Sequence, residues 1–219
     1  MNYVDFLLWV RGPAFQIALA IFLFGITLRL FEIFLMGSSP NYSEPRGSAM
    51  QGGLRTIITR SKIDHTKFER STLTILLGYT FHFGYLLILF FYEPHIMFFR
   101  ELFGFGWPNI STPIISGLSI LTILILLGIL FHRVESAILR FLSTPEDYFV
   151  WFVTFLPVLT GYMAFHHMLL PYPVMLALHI LSVEILMVVF PFTKLMHAFT
   201  IFLARWYNGA NAGRKGVEA

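Results

Sequence analysis

Five apolar runs, each about twenty residues long, leave this chain few folds to adopt. They cover Ala14 to Met36, Thr72 to Tyr92, Pro113 to His132, Tyr148 to Leu170, and a last run from Pro173 to Leu203. A helix of about twenty residues crosses a hydrocarbon core of about 30 Å and satisfies its own backbone while doing so. The expected fold is therefore all-α, an integral membrane bundle of five transmembrane helices. Charge agrees with this: Asp, Glu, Lys and Arg make up 12% of the 219 residues, against about 25% in soluble domains. No small-residue cleavage site follows the first run, so it is read as a retained span rather than a signal.

Lys and Arg set the expected orientation. With the first loop, the third loop and the C-terminus placed in the cytoplasm, that side holds thirteen of the fifteen cations, and only Arg11 and Arg100 lie opposite. The N-terminus is then outside and the C-terminus inside, in the cytoplasmic (inner) membrane. Residues 1–207 form the membrane domain, and the polar, Gly-rich residues 208–219 read as a mobile cytoplasmic tail. The net charge of +3 follows this topology and gives no reason to expect nucleic acid. No internal repeat is visible, which argues against a transporter built from duplicated halves.

Two loops carry further information. In the first, Leu54, Ile57, Ile58, Ile63 and Phe68 alternate with Arg55, Arg60, Lys62 and Lys67, a basic amphipathic segment suited to a membrane surface or to a docked partner. The second, Glu93 to Asn109, is aromatic, and Trp107 suits an interface belt. Tyr92, Arg100 and Trp107 together are candidates to line a ligand pocket there, with Arg100 also readable as an interfacial anchor.

The eight histidines carry the chemistry. Read as one helix from Leu178 to Tyr207, the last run places His179 and His197 eighteen residues apart. That is five turns at about 100° per residue, with a rise of roughly 27 Å, so both rings leave one face near opposite membrane surfaces. Such a register suits two stacked cofactors. The chain has no cysteine, so it holds no iron–sulfur cluster and no covalently attached haem, and any haem must be b-type and held by histidine. His82, in the inward half of the second span, is placed to share an inner haem with His197. His179 would hold an outer haem with His95, His166 or His167. The short Pro171-Tyr172-Pro173 turn favours the His166–His167 pair, and Pro94 counts against His95 by breaking the second helix. His65 and His132 fall at the cytoplasmic rim and read as solvated or capping residues. Glu184 lies mid-span, where an ionised carboxylate costs about 2.5–3.5 kcal/mol on insertion scales. It reads either as a proton relay or as a hydrogen bond between helices.

The stretch PFTKLMHAF around His197, preceded by His179, resembles the gamma subunit of respiratory nitrate reductases. So does FHFGYLLILF around His82, and similar subunits occur in heterodisulfide-reductase-like menaquinol oxidoreductases. The resemblance covers the five-helix plan, with its specific motifs in the second and fifth spans. It implies a di-haem cytochrome b subunit, with His82 and His197 matching the ligands of the haem nearer the cytoplasm and His179 matching one ligand of the outer haem. The family's other outer ligand lies ten residues after the first histidine, where this chain has Tyr92.

The expected function is oxidation of a membrane quinol near the outer face, with electrons passing through two b haems to a cytoplasmic iron–sulfur partner subunit. The chain would thus serve as the electron-transfer subunit of a respiratory oxidoreductase. Two alternatives stand beside it. One is a haem-free anchor or small transporter whose histidines bind helices together. The other is a haem subunit running towards quinone reduction.

Overall fold

A computed structural model describes residues 2–37, 42, 44–62 and 72–217. The described chain is all-α, with no strand among the described residues, and has five helices long and apolar enough to cross a membrane. These are Tyr3–Met36, Thr72–Phe91, Thr112–Glu135, Pro145–Phe165 and Tyr172–Phe192. The first comprises α1 (Tyr3–Trp9), a π turn (Val10–Ala14) and α2 (Phe15–Met36). Pro13 lies inside the π turn, where its missing N–H calls for a local rearrangement of the ladder. The other helices are α3 (Ala49–Thr59), α4 (Thr72–Phe91), α5 (Glu93–Phe103), α6 (Thr112–Glu135), α7 (Ala137–Leu142), α8 (Pro145–Phe165), α9 (Tyr172–Val189) and α10 (His197–Arg214). His65, Lys67, Ile63, Phe68 and Arg70 lie outside the described residues.

The chain divides into two compact units. The first comprises residues 1–20 and 71–188. In it, α6 buries Ile115, Ser119, Thr122 and Leu126, a stripe at helical spacing. The Ser119 and Thr122 hydroxyls donate to the carbonyls four residues back, at 2.8 and 2.7 Å, so neither is buried unsatisfied. Gly84 lets α4 approach this stripe, since a Cβ there would stand 2.5 Å from Thr122 Oγ1. On α8, Trp151 Nε1 donates to the Leu126 carbonyl at 2.8 Å. Thr144 and Asp147 form a capping box at the start of α8, which Pro145 also favours as its first residue. The helix stops at Phe165, five residues before the apolar run does, because His167 and Leu169 adopt left-handed backbone with φ of 53° and 65°.

The second unit comprises residues 21–70 and 189–219. Two sequence expectations fail here. The last run is not one helix: α9 ends at Val189, two 3-10 turns follow at Phe190–Phe192 and Lys194–Met196, and α10 starts at His197. Pro191 supplies no backbone N–H, and Thr193 between the turns is extended, with φ −126° and ψ 177°. The Thr193 hydroxyl accepts from Leu195 N at 3.4 Å and so caps the restart. Phe22, Phe190 and Phe199 pack edge-on around the break, at centroid distances of 5.4 to 6.4 Å. Arg29 Nε donates to the Pro191 carbonyl at 3.3 Å while its Nη1 pairs with Glu32 at 3.0 Å. The five-turn register of His179 and His197 therefore does not exist.

The tail is not mobile through its length either. Residues 208–214 continue α10, which runs antiparallel against α3. Gly52, Gly209 and Gly213 face one another so closely that a Cβ on any of them would meet backbone of the other helix. Arg205 Nη1 donates to Ser61 Oγ at 2.7 Å, and Arg46 N donates to the Arg214 carbonyl at 2.8 Å, at opposite ends of the pair.

Candidate functional site: an imidazole pair in the first unit

Tyr92 turns the chain between α4 and α5. Its extended backbone (φ −80°, ψ 128°) ends the first helix at Phe91 and makes it the N-cap of the second, with Pro94 in the first turn of α5. Pro94 thus starts a helix as well as following one, and His95 comes one residue later. The His95 ring folds back so that its Nδ1 lies 3.0 Å from the Ile88 carbonyl, in the last turn of α4, which also accepts from Tyr92 N at 3.3 Å. A carbonyl only accepts, so Nδ1 carries the proton and Nε2 the lone pair. Burial pulls His95 below its ordinary value of 6.5, which keeps it neutral at pH 7.

The ring facing His95 belongs to His179 on α9. Their centroids are 6.2 Å apart and their planes 20° from parallel. Tyr92 stands edge-on to His95 at 5.2 Å and to Phe165 at 6.1 Å, closing one side of the pair. On the other helix, Thr160 Oγ1 is 3.3 Å from His179 Nδ1. Gly161 leaves room for the ring, since a Cβ there would stand 3.0 Å from His179 Cε1.

His166 and His167 are placed differently. His166 Nε2 is 3.1 Å from Ser116 Oγ on α6, with its ring against Tyr162 and Phe165. His167 is exposed and lies against Tyr172. The first unit therefore sets His95 across from His179, where the sequence left three candidates open.

His82 belongs to the first unit and His197 to the second. His82 Nδ1 donates to the Gly78 carbonyl at 2.7 Å, and His197 Nδ1 to the Lys194 carbonyl at 2.8 Å. A pattern follows from these contacts. His82, His95, His179 and His197 all engage a backbone carbonyl or hydroxyl through Nδ1, whereas His132 and His166 engage Thr74 and Ser116 through Nε2. Of the six histidines weighed as cofactor ligands, His82, His95, His179 and His197 share this arrangement and His166 does not.

Glu184 is buried, with 4% exposure, and its Oε1 has no hydrogen-bond partner among the described residues. Five residues beyond His179, it leaves α9 about 140° away from that ring. A separate cavity of about 200 Å³ lies beside α5, lined by Glu93, Ile96, Met97, Arg100, Trp107, Pro108 and Asn109. Arg100 and Trp107 are brought together there as expected, Glu93 and Asn109 join them, and Tyr92 lies with the imidazole pair instead. Asn109 Nδ2 is 3.5 Å from Glu93 Oε2. Neither Thr160 nor Glu93 was singled out from sequence, because a lone threonine in a span and an acid at a helix start have ordinary structural readings.

No family model matches the chain, and no solved structure does. A protein of Nitratidesulfovibrio vulgaris (strain Hildenborough) is 26% identical over 205 residues, which cover 90% of this chain and 89% of the relative. The likeness thus runs nearly end to end.

Proposed function

We propose that this chain is a membrane cytochrome b subunit that oxidises a quinol and passes the electrons on to a partner carrying iron–sulfur clusters. The observation that carries the proposal is the pairing of His95 with His179. A b haem would be held by two imidazoles brought to one place, and its iron would supply one-electron chemistry there. His95 and His179, with centroids 6.2 Å apart, are the two residues that would hold it. His95, with its Nδ1 proton on the Ile88 carbonyl, would have Nε2 left to bind it.

When bound, haem supplies one-electron transfer. The protein residues do the rest. His95 and His179 would hold the outer haem, with Tyr92 closing one side, and the resemblance implies His82 and His197 as ligands of a second haem. The cavity beside α5 offers a seat for a quinol ring: Glu93 is an acceptor for a hydroxyl proton and Arg100 a donor to the opposite oxygen. Oxidation of a quinol releases two electrons and two protons, and Glu93, exposed at the start of α5, would pass protons to solvent. Glu184 is a second, buried proton carrier on the far side of α9. The resemblance in the second and fifth spans supports the quinol and the cluster-bearing partner. The basic α3–α10 pair gives that partner a docking surface in the cytoplasm.

The test is a pyridine haemochrome assay on the purified chain, with haem counted per polypeptide. Two b haems are expected, and a preparation that takes up none overturns the proposal in favour of a haem-free anchor.

A further inference from the structure

We propose that Thr160 is a positioning residue that sets the tautomer of His179 and, through it, the redox potential of the outer haem. This rests on the haem reading above.

Thr160 has one hydroxyl proton. Its Oγ1 lies 2.7 Å from the Leu156 carbonyl, which only accepts, so the proton is donated there. The neighbouring hydroxyl, Ser182 Oγ, lies 2.6 Å from the His179 carbonyl and donates to it. Towards His179 Nδ1, at 3.3 Å, the Thr160 oxygen is left only to accept. The ring must then donate its Nδ1 proton to Thr160, which fixes the lone pair on Nε2. Ser182 Oγ lies 3.1 Å from Thr160 Oγ1 but spends its proton on the His179 carbonyl, while Gly161 clears the space in which the ring lies. Thr160 is therefore held within α8, through the Leu156 carbonyl.

The two outer histidines differ in a way that makes this testable. The Nδ1 partner of His95 is a main-chain carbonyl, which no side-chain substitution removes. That of His179 is a hydroxyl, which one substitution does remove, although the Pro157 carbonyl also lies against this ring and stays. A ring that donates its distal N–H is the stronger electron donor to iron, because the bond pushes charge towards Nε2. Such a ligand favours the oxidised iron and lowers the potential. Removing the acceptor should raise it.

The experiment uses the full chain in detergent, comparing wild type with Thr160→Val, Thr160→Ala and Thr160→Ser. Haem per chain is counted first, and each preparation is then redox-titrated. Thr160→Val is expected to keep both haems and raise one midpoint by a tenfold change in the reduction equilibrium, about 59 mV for a one-electron couple. Thr160→Ser should restore the wild-type value, which a purely space-filling role would not do. Thr160→Ala serves if the valine variant does not assemble. Unchanged midpoints in a fully loaded Val or Ala variant overturn the inference and leave the ligation intact. Loss of the outer haem from both also overturns it, by showing that Thr160 acts on occupancy. A wild-type chain without haem, or a His179→Ala variant that keeps both haems, instead overturns the ligation reading.

Discussion

A neutral imidazole has a single lone pair, and the proton on its other nitrogen decides which atom carries it. That choice separates the histidines of this chain more sharply than their depth along the spans does. His95 and His179 commit Nδ1 to an acceptor and keep Nε2 for a ligand, whereas His166 spends Nε2 on Ser116. His95→Ala and His179→Ala should therefore each remove one haem equivalent and leave the other. His166→Ala should keep full haem content and cost only a helix–helix hydrogen bond, about 0.6 kcal/mol. Haem-to-protein ratios for the three variants check this, and loss of haem from His166→Ala would restore the span-four pair as the ligand source. Glu184 makes a second case at this scale. Its buried oxygen lacks a partner, so Glu184→Gln should leave haem content unchanged while slowing quinol-driven haem reduction. If reduction is equally fast in the variant and the wild type, the carboxyl is structural.

The helical elements were legible in the sequence because hydropathy and length alone mark a span, and four of the five runs end within a few residues of their helices. What hydropathy does not register is a backbone break inside an apolar run. Phe190, Pro191 and Phe192 are as apolar as what precedes them, so the last run read as one helix although Pro191 was in plain view. Pro94 was misjudged for the complementary reason. A proline ends one helix and suits the first turn of the next, and only the extended backbone of Tyr92 shows that both occur. The pairing of His95 with His179 depends on that turn, which is why the site was only partly legible. The tail was misread for composition: Gly209-Ala210-Asn211-Ala212-Gly213 is Gly-rich, yet its glycines stand one turn apart on one helix face, a small-xxx-small pattern for close packing. Gly209→Leu should thus overpack the α3–α10 contact, at a cost of about 1–3 kcal/mol. Gly216→Leu is no matched control, since Gly216 has φ of 71°, so Gly12→Leu, with open space around its Cα, serves instead. Thermal unfolding in detergent should show a lower midpoint for Gly209→Leu alone, and equal midpoints for the two variants would mean that the contact adds no stability.

At the scale of the whole chain, the proposed function needs direction as well as ligands. A quinol seat beside α5 releases its protons outside only if the α5–α6 connection faces outward, and a cytoplasmic partner reaches α3 and α10 only if they face inward. Thirteen cations against two predict that arrangement, since positive charge is retained on the cytoplasmic side. The absence of cysteine makes it directly measurable, because any thiol that reacts is one that has been introduced. Phe105, exposed between α5 and α6, and Met50, exposed on α3, are suitable positions. In spheroplasts a membrane-impermeant maleimide should label Phe105→Cys at once and Met50→Cys only after the membrane is opened. Labelling in the reverse order would put Glu93 and Arg100 on the cytoplasmic face. Quinol oxidation there would consume no outward proton path, and the electrons would leave towards a partner outside the cell membrane. Haem ligation would survive that outcome, because the imidazole pair owes nothing to orientation, but the proposed direction of proton release would not.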